Sequence, residues 1–157
     1  MSENKLLETY NNGYNRILDV LYNIPTEAID YKPAPDKWSI REVIVHLTDC
    51  EANGFVRIKK ALAENGEPVT PYDQDKWAAG LHYDSQSIDE NLELFKMLRK
   101  LLTKLLNQIQ DDEWNNYMAH PERGNITVKD FVVEMNEHVE THIKQMMRNF
   151  ESWKSES

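Results

Sequence analysis

His138 and His142 stand four residues apart in the segment Phe131-Val-Val-Glu-Met-Asn-Glu-His-Val-Glu-Thr-His-Ile-Lys-Gln-Met146. At about 100° per helical residue they are offset by about 40° and one turn, so both imidazoles leave one face of a helix. Two imidazoles at that spacing can reach a single metal ion, as in zinc proteins. The same face carries Met135 and Met146, which makes it a core face. Neutral imidazoles buried there without a metal need other hydrogen-bond partners. His46 lies with Val43, Leu47 and Cys50 on the apolar stripe of an earlier segment. If the two segments are neighbours, three imidazoles converge. Spacing alone leaves two readings open, a three-histidine metal site or core histidines satisfied by polar neighbours.

The surrounding residues add candidates, each with a plainer alternative. Cys50 is four residues after His46 on the same face; a thiolate binds zinc well, and a buried free cysteine also serves as a small apolar filler. Asp49, three after His46, could accept the second imidazole N–H and fix its tautomer, and Glu134, four before His138, could do the same or act as a base. Either is equally a solvated carboxylate. His138-Val-Glu-Thr-His142 is not H-E-x-x-H: Glu140 lies about 200° round from His138 and Glu137 precedes the pair, so the chain is not a zincin. His82 and His120 fall in loops, exposed or lining an entrance. Trp77 and Trp114 are loop anchors or an apolar substrate wall, and Tyr10 and Tyr14 are core residues whose hydroxyls could reach a cavity. Met135, Met146 and Met147 read as core filler, and the terminal ESWKSES as a fraying tail.

Three neutral imidazoles leave a divalent ion with its full charge and an open position, which is the catalytic rather than the structural arrangement. Water there could approach a pKa near 7, or a thiol could lose its proton and become a nucleophile. Imidazole suits both Zn and Ni.

Four helices must position these groups. The first runs from about Glu3 to Asn23, with Leu7, Tyr10, Tyr14, Ile17, Leu18 and Leu21 on one face, and Pro25 stops it. The second starts at the Ser39-x-x-Glu42 capping box and ends near Glu64 before Asn65-Gly66. A long connection from Glu67 to about Gln86 permits a crossover along the bundle. The third helix begins at a second box, Ser87-x-x-Glu90, and reaches about Gln110; after the loop DDEWNNYMAHPERGN the fourth runs from Thr127 to about Trp153. No strand alternation is evident. Four amphipathic helices around one core make a four-helix bundle.

Composition narrows the function. The 157 residues carry 18 Lys+Arg against 27 Asp+Glu, a formal charge of -9, which opposes binding to nucleic acid or anionic lipid. Neither G-x-G-x-x-G nor G-x-x-x-x-G-K-[ST] occurs. A single cysteine excludes an intrachain disulfide, and no secretory signal or membrane span is evident, so a cytoplasmic protein is expected.

Trp38-Ser39-Ile40-Arg41-Glu42-Val43, followed by His46-Leu47 and Asp49, resembles the W-S-x-x-E-V-x-x-H-L-x-D signature of the DinB/YfiT-like superfamily. His138-x-x-x-His142 is similar to that family's second element, and Tyr72-Asp73-Gln74-Asp75-Lys76-Trp77 resembles one of its recurrent segments. The resemblance covers nearly the whole chain in order and spacing. It implies an up-down-down-up bundle, a divalent metal held by His46, His138 and His142, and activity as a metal-dependent hydrolase or as an S-transferase using thiols such as bacillithiol or mycothiol. It also implies a homodimer.

The expectation is therefore one all-α domain over residues 1–157, a four-helix bundle with a long connection between its second and third helices. Its function would be that of a divalent-metal enzyme, with Zn or Ni at His46, His138 and His142. It would transfer a low-molecular-weight thiol to a small substrate or hydrolyse one, with no nucleic-acid or membrane partner. The alternatives are a non-enzymatic metal- or small-ligand-binding helical dimer, and a dimerisation protein with structural histidines.

Overall fold

The computed structural model describes residues 1–157. Four long helices, α1 (Glu3–Leu21), α2 (Ile40–Ala63), α4 (Ile88–Leu106) and α5 (Val128–Glu156), form the bundle; a short α3 (Gln74–Gly80) interrupts the long connection. The caps explain the starts. Ser39 Oγ accepts the Glu42 N–H at 3.2 Å and the Glu42 carboxylate accepts the Ser39 N–H at 2.7 Å, so two orphan donors are satisfied reciprocally. Ser87 caps α4 through the Glu90 N–H at 3.2 Å, but only that half of the expected box forms.

Side-chain contacts give the helix directions. Glu3 pairs with Lys129, Asn136 donates to the Leu6 carbonyl, and Arg16 pairs with Glu140, so α1 and α5 run parallel. Thr48 donates to the Asn91 carbonyl and Arg99 pairs with Glu51, so α2 and α4 run parallel. Asn149 reaches the Trp38 carbonyl while Gly54 faces Met135, so α2 and α5 are antiparallel. Lys96 lies over Tyr14 while Arg99 reaches Tyr10, so α1 and α4 are antiparallel too. The order is up-down-down-up, with α1 and α2 on opposite corners. No helix is long and apolar enough to cross a membrane.

Parallel pairing of α2 and α4 obliges the connection to return along α2. It is pinned there in reverse order: Arg57 donates to the Thr70 carbonyl, Cys50 meets Tyr72, Asp49 accepts from Tyr83, and Arg41 donates to the Gln86 carbonyl. The apolar core forms two clusters. One holds Leu6, Ile58, Leu102, Trp114 and Met118, the other Ile17, Ile44, Phe95, Val139 and Met146. Glu51, Arg99 and His46 are buried polar residues within this interior.

Several expectations need correction. The loop after α4 contains a hairpin, β1 (Tyr117–His120) paired antiparallel with β2 (Gly124–Thr127). Each strand has four residues with one fully buried side chain, Met118 opposite Ile126, too short a run for alternation to show. Gly124 opens β2 at φ +75°, a left-handed conformation that favours glycine. α1 ends at Leu21, α4 at Leu106, and α5 continues to Glu156. ESWKSES is thus helical almost to its end, with the Trp153 ring stacked on Phe150 at 6.0 Å. Met147 is half exposed rather than core filler, because it lies one residue round from the buried Met146.

Candidate metal centre

Crossing α2 against α5 brings the three imidazoles together. His138 Nε2 is 3.1 Å from His46 Nε2 and 3.0 Å from His142 Nε2. A tetrahedral ion with Zn–N bonds of about 2.0–2.1 Å places neighbouring nitrogens about 3.3–3.4 Å apart. The His46–His138 and His138–His142 spacings are thus close to those of two ligands on one ion, and the His46 and His142 rings lie 4.7 Å apart centre to centre. The donor set also fits chemically. His142 Nδ1 lies 2.7 Å from Gln145 Oε1, which as an acceptor holds the proton on Nδ1 and leaves Nε2 its lone pair. Trp38 packs its ring against His46 at 4.7 Å.

Burial holds these rings neutral. It drives the His46 pKa down to about 3, helped by His142 and His138. It lowers His138 to about 4, helped by His142 and Arg99. His142 is lowered by burial and partly restored by Gln145. Uncharged imidazoles are the form that ligates metal.

Cys50 stays beside the cluster. Its Sγ is 3.6 Å from His46 Nε2 and 2.6 Å from the Tyr72 hydroxyl, and burial pushes its thiol up to about 11. The ligand atoms of His46, Cys50 and His138 all lie within 4.8 Å of one another.

The other candidates go elsewhere. Asp49 accepts the Tyr83 hydroxyl instead of an imidazole N–H, because the returning connection supplies a closer donor. Glu134 pairs with Arg123 at 2.5 Å and does not hold His138; the hairpin turn brings that guanidinium to it. Glu140 pairs with Arg16. His82 is exposed, and His120 Nδ1 accepts the Glu122 N–H at 3.2 Å, so neither hydrogen-bonds to the cluster. The Trp77 ring packs tilted against Tyr72 with centroids 4.5 Å apart and Trp114 is core, both acting as loop anchors. Tyr10 donates to Glu51, away from the imidazoles, and the Tyr14 ring faces Lys96.

Sequence reasoning missed a buried network behind the site. Arg99 donates from Nε to Glu51 at 2.9 Å, from Nη1 to the Tyr10 carbonyl at 2.8 Å and from Nη2 to the Met135 carbonyl at 3.0 Å. Met135 is three residues before His138, so the guanidinium braces the turn that presents it. A signal existed: Leu92, Phe95, Arg99, Leu102 and Leu106 follow the core spacing, with an arginine at a core position. Gln145 was visible as the residue three after His142. Tyr72 was not, because only the returning connection carries it to Cys50.

Beside His138 and Cys50 opens a cavity of about 200 Å³ whose lining includes Arg57, Tyr72, Arg123, Phe131 and Glu134.

A sequence model of the DinB superfamily matches residues 9–146. A relative from Oceanobacillus iheyensis, named "Putative metal-dependent hydrolase", is 29% identical over 110 residues, covering 70% of this chain and 63% of that one. Relatives of the same name from Bacillus cereus and Bacillus thuringiensis are 26% identical over the same shares. The match thus spans less than two thirds of these relatives' length. The fold is similar to that of YfiT from Bacillus subtilis, described as "a probable metal-dependent hydrolase with an unusual four-helix bundle topology". The TM-score is 0.82 at 22% identity, over 94% of this chain and 89% of that one. It is also similar to a mycothiol-dependent maleylpyruvate isomerase, with a TM-score of 0.73 at 11% identity over 93% of this chain and 61% of that one. At these identities the likeness is one of fold.

Proposed function

The chain belongs to the DinB superfamily, and from that premise we propose that it is a metal-dependent enzyme whose ion is held by His46, His138 and His142. The carrying observation is the convergence of three neutral Nε2 atoms, with His138 within 3.1 Å of both others. A divalent ion, Zn or Ni, would be held by these imidazoles and would supply Lewis acidity for activating water or a thiol. The chain's residues do the rest: Gln145 orients His142, Arg99 braces the backbone before His138, and Tyr72 presents its hydroxyl at the cavity beside Cys50. The reaction is thiol S-transfer to a small electrophile or hydrolysis of a small substrate. The fold likeness to a mycothiol-dependent isomerase supports the former, and the names of the relatives support the latter.

The test is metal analysis of protein purified without chelator, repeated on His142→Ala. One ion per chain, lost on substitution, is expected; no metal in either sample refutes the site. A screen of the loaded protein with and without thiols then separates transfer from hydrolysis.

Cys50 Sγ at 3.6 Å from His46 favours a second reading, a closed site with a protein thiolate as fourth ligand and no turnover. Absence of activity in every arm of the screen would support it. The homodimer that the family resemblance implies belongs to either reading. The half-exposed Leu94, Met97 and Leu101 on one face of α4 support it, and sedimentation would measure it.

A further inference from the structure

We propose that the cavity beside the imidazoles is an anion-anchoring subsite, in which Arg57 and Arg123 hold the carboxylate of an elongated small ligand whose other end reaches the metal centre. This rests on the metal-site reading above.

The geometry begins on α2. His46, Cys50 and Arg57 are four and eleven residues apart, so at about 100° per residue they share one stripe within about 40°. At about 1.5 Å per residue, Arg57 stands about 10 Å beyond Cys50 along the axis, and its side chain leans back toward the helix N-terminus. On the antiparallel α5, His138, Glu134 and Phe131 descend in the same direction. The cavity of about 200 Å³ lies between these two stripes.

One positive charge at its far end is unmatched. Arg57 is half-buried, yet no carboxylate pairs with it; its side-chain hydrogen bond goes to the Thr70 carbonyl at 2.9 Å, and its guanidinium lies 5.9 Å from the Tyr72 ring centre. A guanidinium offers five N–H donors, and a partly buried cation without a counter-ion is costly. The hairpin delivers a second guanidinium, Arg123, to the same cavity. Two arginines meet one carboxylate there, Glu134, in a chain whose formal charge is -9. A ligand carboxylate satisfies Arg57 with forked hydrogen bonds and competes with Glu134 for Arg123. The Phe131 and Met135 side chains give the ligand's middle an apolar wall.

The experiment titrates the zinc-loaded full chain with ω-mercaptohexanoate and with ω-mercaptohexanol by calorimetry. Both present a thiol to the metal, and their length covers most of the Cys50–Arg57 offset. The carboxylate is expected to bind at least about tenfold tighter. Arg57→Gln with Arg123→Gln should bring it down to the alcohol's affinity, and Glu134→Gln should tighten it. Equal affinities in the unsubstituted protein, or a preference surviving the double substitution, overturns the subsite. Zinc retained with neither thiol binding overturns the subsite and leaves the metal site standing. Failure to retain zinc overturns both.

Discussion

Replacing Arg99 with methionine tests the buried network most directly. Arg99 and Glu51 are each 1% exposed. Methionine fills much of the stem's volume but removes the donors to Glu51 and to the Tyr10 and Met135 carbonyls. Removing one member of a buried ion pair costs about 3–5 kcal/mol, because the other charge stays behind unpaired. The loss has a ceiling, since an isolated buried carboxyl can take up a proton. Burial already raises the Glu51 pKa and Arg99 opposes that rise, so without Arg99 the pKa climbs further. In the variant, then, the folded-state pKa lies above the unfolded value. The neutral carboxyl is tolerated at low pH, and stability is lost as pH rises above the unfolded value of about 4.3. We expect Arg99→Met to lose about 4 kcal/mol at pH 7, a fall in Tm of about 10 °C, and to recover part of it at pH 5 relative to the unsubstituted protein. Adding Glu51→Gln should restore about 2 kcal/mol, a coupling measurable by chemical denaturation in a double-mutant cycle. A single-variant loss below about 1 kcal/mol, or additive losses in the double variant, would refute the reasoning.

Further outcomes follow from the imidazoles. His46 and His138 have folded-state pKa values of about 3 and 4, below the ordinary 6.5. The unfolded chain therefore binds more protons below that point, so metal-free stability is complete above about pH 6.5 and declines as pH falls toward 4. At pH 5 the two groups together should cost about 2–4 kcal/mol, and a flat denaturation profile between pH 7 and 5 would contradict their burial. Gln145→Ala removes the acceptor that holds the His142 tautomer. It should weaken metal affinity about tenfold in a chelator competition while leaving stoichiometry at saturation unchanged, and an unaltered affinity would deny Gln145 that role.

The parts of this molecule legible in advance were those encoded within a few residues. Ser39 and Glu42 announce the start of α2 because both halves of their exchange lie in one turn. His138 and His142 announce a shared face because four residues make a turn. Met118 and Ile126 were illegible, since their strands are shorter than the pattern that would reveal them. The partners of Asp49 and Glu134 were illegible for another reason. Each has the right offset from a histidine on its own helix, yet Tyr83 and Arg123, delivered from distant segments, offer better partners.

By itself the sequence determined four amphipathic helices, their caps and a pair of histidines on one core face, because periodicity and capping are short-range. Local pattern left open which helices are neighbours, and the tertiary structure settles it by laying α5 antiparallel to α2, so that His46 meets that pair. Only the crossover decided that Tyr72 reaches Cys50 and that Thr70 takes Arg57. Those contacts depend on which helices are neighbours and on where a returning chain is pinned, and no residue's local pattern contains that information.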